Sequence, residues 1–522
     1  MKRIRLEGWW SSLLVACMGM LVLAAQPFRG LSLWALWQVR ATERAEQWMD
    51  TGTREALEAA FAGAPQLGAW PGLLVAALFG NDQLLDGLRL LAVVCAGVVL
   101  FTVAELGRAW RGPATGVLAA AMLLLTPRFW SAVTVPSPTI FVLAAIVLAS
   151  ASLWALRRSR WWALLALPAL LGMLWSGDVG WFWLAPLFVL HFVDFSAGVG
   201  RGSVRIRPVT PVELLIIPVG IALAVALHPW WRLDPGDHLG DQMRAWIIQP
   251  AEPYLWFGER FGARRMTPWM APLLSLLSLP AGAVFAALFG VLLPSQMGGT
   301  RVLRAGAFAM WASSCLLLWS LRTPWHAGID LVALTLPWLS IGFGAGVTAV
   351  AEGMETLYSA RRQELDRRLP AMRIGVMAVW LLACAPGVFK YAWHPETWHN
   401  ELLGGARGWV LHGGWRNPHA PVPLALAQQM VSPDEPTQVS VLVNEWEWRP
   451  VLEYYNEAGL LEGELQLTGI DDADWLVLVY EDGLPEFYTM WPEFQRLSTI
   501  TTPTWWRSPA GMPLVGVVQA PQ

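Results

Sequence analysis

Eleven nearly charge-free apolar stretches succeed one another along most of this chain, and they leave few folds open to it. They lie near residues 9–27, 85–106, 113–126, 138–156, 161–175, 179–195, 212–229, 269–293, 305–321, 331–351 and 374–391. A helix needs about 20 residues to cross the ~30 Å hydrocarbon layer of a bilayer, and most of these stretches have that size. Composition agrees: hydrophobic residues make up 55% of the 522 residues and charged residues 14%, where ~25% charged is ordinary for a soluble domain. Such a chain would precipitate as a soluble globule and is far too apolar to stay disordered. The fold class expected is an α-helical multi-pass membrane protein.

Charge placement sets the expected orientation. With the N-terminus inside, the short cytoplasmic segments hold Lys2, Arg3 and Arg5, then Arg108 and Arg111, then Arg157, Arg158 and Arg160. They continue with Arg201, Arg205 and Arg207, Arg301 and Arg304, and finally Arg361, Arg362, Arg367, Arg368 and Arg373. The three short outer connections hold only Arg128 and Arg322. This alternation is the positive-inside pattern, and a different number of crossings would scramble it. The first stretch follows Lys2, Arg3 and Arg5 as a secretory signal would, but it exceeds a cleavable apolar region, and Leu23-Ala24-Ala25 is a poor cleavage site. It is read as a retained first span. Many of the 34 Trp sit where apolar runs end, as interfacial aromatic belts do.

Other classes are disfavoured. A net charge of −3 argues against a nucleic-acid binder, which needs a basic surface. Cys17, Cys95, Cys315 and Cys384 all lie in apolar runs without a CxxC neighbour, so neither a disulfide framework nor a cysteine metal site is expected. No metal and no cofactor is expected; His394 and His399 with Glu396 have no further residue at ligand spacing.

The chain divides into a transmembrane domain over 1–391, with outer loops at 28–84 and 230–268, and an extracytoplasmic domain over 392–522. In the first loop, apolar and Ala positions from Thr42 to Glu58 interleave with charges at helical spacing, which predicts an amphipathic helix lying on the membrane. In the C-terminal part, strand-like runs Val439–Val443, Trp475–Tyr480 and Leu514–Val518 alternate with a helix predicted around Pro450–Ala458, the pattern of a small α/β domain.

Five dispersed stretches between about residues 60 and 410 carry a family resemblance. They are PGLLVAALFGNDQLLDGLRLLAVVCAGVVLF; GVLAAAMLLLTPRFW, with Thr126-Pro127-Arg128-Phe129; HPWWRLDP followed by YLWFGERF and TPWMAPLLSLLSLP; TPWHAGIDLVALTLPWLSIGFGAG; and HPETWHNELLGGARG, with Asn400, Glu401, Gly404, Gly405 and Arg407. In this order the chain resembles the GT-C superfamily of integral-membrane glycosyltransferases. More narrowly it is similar to glycosyltransferase family 39, with its bacterial protein O-mannosyltransferases and lipid A aminoarabinose transferases. The resemblance implies a polyprenyl-phosphate sugar as donor, and a glycan, lipid or protein acceptor outside the cytoplasm of a bacterial inner (plasma) membrane.

That reaction displaces a lipid phosphate from an anomeric carbon by an acceptor hydroxyl. It needs a carboxylate to accept or orient the acceptor proton, and cations, best Arg, to hold the departing phosphate. The resemblance implies an Asp just after the first span, yet GLSLWALWQVRATERAEQW has no acidic residue between Arg29 and Thr42. The carboxylate candidates are therefore Glu43 and Glu46, at i, i+3 on one helix face, and Asp178 in LWSGDVGW. Each also has a bland reading, as a solvated face for the glutamates and a turn for Asp178. The phosphate-binding candidates are Arg128, Arg322 and Arg260, which equally suit headgroup anchoring or ion pairing. The basic residue implied before the penultimate span is replaced by Ile329-Asp330-Leu331. Two alternatives stay open: a catalytically degenerate scaffold that keeps a lipid or partner groove, and a transporter or flippase. The near absence of charge in mid-span weighs against the transporter.

Overall fold

The computed structural model describes residues 9–28, 30–52, 69–80, 83–134, 137–156, 159–176, 178–198, 201–206, 210–227, 254–256, 259–261, 268–292, 301–321, 325–326, 329–359, 369–391, 422–441, 445–479, 504–507 and 513–519. The helices are α1 (Trp9–Ala24), α2 (Leu33–Thr51), α3 (Ala69–Phe79), α4 (Leu84–Arg111), α5 (Pro113–Leu124), α6 (Pro127–Thr134), α7 (Pro138–Leu156), α8 (Ala163–Leu174), α9 (Asp178–Phe182) and α10 (Leu184–Phe192). They continue as α11 (Pro211–Leu227), α12 (Met270–Leu277), α13 (Ala281–Leu292), α14 (Arg301–Leu321), α15 (Leu336–Ser359), α16 (Leu369–Tyr391), α17 (Leu424–Met430) and α18 (Glu445–Glu457).

Each predicted apolar stretch coincides with an apolar helix or a pair of them. Among the described residues, three segments are long and apolar enough to cross a membrane unaided: Leu84–Ala109, Pro138–Leu156 and Ala333–Leu357. The other stretches are shorter or broken. The stretch at 113–126 ends as α5 at Leu124, near its predicted end, and the chain turns by 64° into α6. Pro127 has no N–H to continue the helix. The free end is capped locally: Trp130 Nε1 donates to the Leu124 carbonyl at 2.5 Å, and Thr126 Oγ1 donates to the Met122 carbonyl at 2.9 Å. The stretch at 269–293 likewise divides into α12 and α13 around Pro280, with Ser278 Oγ donating to the Ser275 carbonyl at 2.5 Å.

Two further expectations are corrected. The segment after 192, read as the end of a span and a plain cytoplasmic loop, forms an antiparallel hairpin of β2 (Val193–Gly198) and β3 (Arg201–Ile206). The loop helix begins at Leu33, well before Thr42, because Ser32 caps it: its Oγ accepts from the Ala35 N–H at 3.2 Å, which satisfies one of the orphan donors of a helix start. Short ribbons also form from β4 (Tyr254–Trp256) with β5 (Glu259–Phe261) and β6 (Trp325–His326) with β7 (Ile329–Asp330).

The apolar helices share one core, in which α15 is central, packing on α13, α5, α4 and α16. Small residues let these helices approach. A Cβ on Gly290 of α13 would stand 1.8 Å from the Gly342 carbonyl oxygen of α15, and one on Gly346 would stand 2.0 Å from that of Ala286. In lipid there is no hydrophobic drive between helices, so close backbone packing of this kind carries association.

After the apolar helices come β8 (Val422–Pro423), β9 (Thr437–Val441), β10 (Leu465–Leu467), β11 (Trp475–Val479), β12 (Thr504–Arg507) and β13 (Pro513–Gln519). Five of them form a sheet in the order β10-β9-β11-β13-β12, parallel in its first three strands and antiparallel thereafter. All three predicted strand runs are in it. The predicted helix starts earlier than Pro450, at Glu445, and carries Pro450 inside it.

The C-terminal unit is not closed on itself. β1 (Gly30–Leu31), directly after the first apolar helix, pairs antiparallel with β8, Gly30 opposite Pro423 and Leu31 opposite Val422. Tyr455 Oη donates to the Val422 carbonyl at 2.7 Å. Gly30 has φ 148°, and a Cβ there would stand 1.9 Å from that same oxygen. Tyr455→Phe leaves a buried carbonyl short of a donor and is expected to cost ~1–2 kcal/mol, checked by chemical unfolding of the full chain.

Candidate functional site

Helix α2 lies where three packed bodies meet. Ala35 and Leu36 enter the core of the C-terminal unit beside Val422, Leu426, Val451 and Tyr455. Val39 enters the core of the apolar helices. Ala41 and Ala45 pack with Leu73 against Trp48 and Trp70. Thr42 meets Gly72 of α3 so closely that a Cβ on Gly72 would stand 1.7 Å from its hydroxyl oxygen. A helix expected to float on the membrane surface is thus held from several sides, because its small residues recur at helical spacing.

The seam between α2 and α18 carries the charges. Arg40 Nη1 donates to Glu43 Oε2 at 3.1 Å, and Arg40 Nη2 donates to Glu457 Oε2 of the C-terminal unit. The same guanidinium lies 5.2 Å from the Tyr454 ring centroid, a cation–π geometry. Burial pulls the Arg40 pKa down, but the two carboxylates outweigh it, so its pKa stands above the ordinary arginine value. Burial, with Glu43 and Glu457 adding and Arg40 opposing, raises the Tyr454 phenol. Both ions are partly exposed, at 34% for Arg40 and 57% for Glu457, so screening keeps the pair weak. Arg40→Met is expected to lower stability by at most about 1 kcal/mol. That loss should shrink further in high salt, as thermal unfolding at two ionic strengths would show.

A second, deeper ion pair links α6 to the start of α15. Arg128 Nε donates to Asp330 Oδ2 at 2.6 Å and its Nη2 to Oδ1 at 2.9 Å, a bidentate fork. Asp330 Oδ1 also accepts the backbone N–H of Val332 at 3.0 Å and of Ala333 at 3.2 Å. The Asp330 N–H donates to Thr139 Oγ1 of α7 at 2.9 Å. The side chains are 11% and 3% exposed. A carboxylate at a helix start also meets the positive end of the helix dipole. A guanidinium therefore does stand at the entrance to this span, but Arg128 brings it from another helix, made possible by the bend at Pro127.

The sequence candidates fall as follows. Glu43 lies in the Arg40 seam, partly exposed. Glu46 is half-buried one turn further along α2. Asp178 is the first residue of α9. Arg128 is engaged by Asp330, and the Arg260 backbone lies in β5 opposite Leu255. Arg322, His394, Glu396, His399 and the Asn400–Gly408 motif lie outside the described residues. The structure therefore joins Glu43 and Glu457 through Arg40, and Arg128 to Asp330. Sequence reasoning missed Arg40, Gln38, Tyr454 and Glu457. The Arg40–Glu43 spacing at i, i+3 is visible in the sequence; a contact from residue 40 to residue 457 leaves no local signal. Among the described residues, no group of three His, Cys, Asp or Glu is placed to hold a metal ion.

No family model matches the chain, and no curated protein matches it. Among solved structures, it is similar to ArnT from Cupriavidus metallidurans in the apo state: 13% identical, covering 98% of each chain, TM-score 0.48. ArnT bound to undecaprenyl phosphate is 14% identical over 98% of this chain and 99% of that one, TM-score 0.45. The archaeal oligosaccharyltransferase AglB from Archaeoglobus fulgidus, in complex with an inhibitory peptide and a dolichol-phosphate, is 13% identical, TM-score 0.49. That comparison covers 99% of this chain and 75% of the AglB chain.

Proposed function

We propose that this chain is a GT-C glycosyltransferase that moves a sugar from a polyprenyl-phosphate carrier to an extracytoplasmic acceptor. Eleven crossings, a cytoplasmic N-terminus and an extracytoplasmic C-terminal unit in a bacterial inner membrane belong to the same proposal. Its supports are the five ordered sequence motifs and the charge alternation along the chain. The observation that carries it is the placement of α2: the segment after the first apolar helix is held between the C-terminal unit and the apolar bundle, with Glu43 and Arg40 at that seam. In such a site a carboxylate takes or orients the acceptor proton while guanidinium groups draw off the lipid phosphate. Glu43 and Glu46 are assigned the carboxylate role, with Asp178 next. Arg322 and Arg260 are assigned the phosphate; Arg128 joins them only where Asp330 shares its fork.

The test is native mass spectrometry of the detergent-purified protein offered undecaprenyl phosphate and several undecaprenyl-phosphate sugars. Retention of a sugar-bearing lipid, with slow conversion to the bare phosphate, is the expected result; retention of none, beside a transferase that does bind, overturns the reading. For the carboxylates, Glu43→Gln or Glu46→Gln is expected to lower turnover by about 10²-fold or more with unchanged thermal unfolding. Full turnover in both variants moves the role to Asp178. One observation favours the degenerate-scaffold reading instead: the Glu43 carboxylate is already engaged by the Arg40 guanidinium.

A further inference from the structure

Gln38 is 2% exposed, and neither its Oε1 nor its Nε2 has a hydrogen-bond partner among the described residues. A buried amide normally finds partners, because leaving both its donor and its acceptor unmade costs the whole desolvation of the group. Its surroundings along α2 make the burial more telling. Ala35, one turn earlier, belongs to the core of the C-terminal unit; Val39, the next residue, belongs to the core of the apolar helices. Thr42, one turn later, is engaged already, donating to the Gln38 main-chain carbonyl at 2.9 Å. The orphan amide therefore lies on the buried face of a helix that touches the C-terminal unit and the apolar bundle together.

We infer that Gln38 is a seat for a hydroxyl group of a sugar, which would use the amide's donor and acceptor at once. An amide carbonyl and NH2 suit a neutral hydroxyl, which both gives and accepts a hydrogen bond. A phosphate offers acceptors only and would leave Oε1 unmatched. Gln38 carries no titratable proton near neutral pH, so it positions the substrate and does not act as its base. The inference rests on the glycosyltransferase reading for its placement on the reaction path, and it names the chemistry recognised there as the sugar rather than the lipid phosphate.

The experiment measures thermal stabilisation of the full-length protein in detergent by a panel of methyl glycosides and, separately, by undecaprenyl phosphate. The proteins are the wild type, Gln38→Leu and Gln38→Met; the two variants keep an apolar side chain of similar size and remove both polar atoms. Without ligand, both variants are expected to unfold at or above the wild-type temperature, since the orphan amide is gone. At least one glycoside is expected to protect the wild type and to bind either variant at least tenfold more weakly, while undecaprenyl phosphate protects all three alike. Equal protection of wild type and variants by every effective glycoside overturns the inference, as does the absence of any effective glycoside, which leaves the amide satisfied by a buried water only. If a glycoside discriminates as expected but undecaprenyl phosphate protects none of the proteins, the seat stands and the polyprenyl carrier falls.

Discussion

Asp330→Ala is expected to destabilise the purified protein by roughly 3–5 kcal/mol, the usual cost of removing one member of a buried ion pair. The substitution takes the bidentate carboxylate away from the Arg128 side chain, which is only 11% exposed, and it removes the acceptor for the Val332 and Ala333 amides just ahead of α15. Two independent losses thus fall on the helix around which the apolar bundle packs. Equilibrium chemical unfolding in detergent reads the effect. The double variant Arg128→Leu with Asp330→Ala should recover part of the loss, because the buried guanidinium is removed together with its carboxylate; the two orphaned amides are left, so recovery is incomplete. A single-variant loss below about 1 kcal/mol would mean that the pair behaves as an exposed one. Arg128→Lys is also expected to be costly, since an ammonium cannot span both carboxylate oxygens.

Gly346→Val should also be damaging, by a different mechanism. Its Cβ would overlap the Ala286 carbonyl at 2.0 Å, and the next atoms met are also backbone, so no side chain can swing aside. The helices must separate, and the loss should reach or exceed the ~1–3 kcal/mol typical of overpacking. Gly290→Val acts on the same contact from the other helix, with the Gly342 carbonyl at 1.8 Å. The readouts are the yield of monodisperse protein and its unfolding midpoint. Gly353 provides the control on the same helix: a Cβ there meets nothing within 4 Å, and Gly353→Ala should be neutral or stabilising by about 0.5–1 kcal/mol. If the valine variants matched the alanine control, the close approach of α13 and α15 would be refuted.

The positions of the apolar helices were legible because their signal is local: each is a run of apolar residues ended by charge, Pro or Trp. The strands β9, β11 and β13 were legible for the same reason, through short apolar runs rich in Val. The break at Pro280, inside the stretch 269–293, was harder to place than the end of the stretch 113–126 before Pro127. A proline inside an apolar run can kink a helix or be absorbed in it, as Pro168, Pro218 and Pro386 are absorbed within α8, α11 and α16. What decides is whether neighbouring groups satisfy the freed backbone, as Trp130 does for the Leu124 carbonyl.

The candidate site was legible in part. Glu43 and Arg128 were singled out from charge and location, and both lie in ion pairs, but their partners could not be read. Arg40 reaches Glu457 and Arg128 reaches Asp330, across hundreds of residues, and no periodicity records such a meeting. Asp330 looked like the loss of a basic residue, and tertiary structure alone shows that a guanidinium arrives from α6. Gln38 drew no notice in the sequence because a glutamine on an amphipathic helix is ordinarily solvated; only burial makes it an orphan.

What this chain must be, a largely helical protein of the bilayer with a mixed α/β unit at its end, follows from hydropathy and local pattern, since the bilayer demands internally satisfied backbone over each span. Which polar groups share a site was decided only by packing. The docking of the C-terminal unit through β1 and β8, the small face of α2 and the bend at Pro127 bring together residues whose spacing in the chain carries no information about their distance in space.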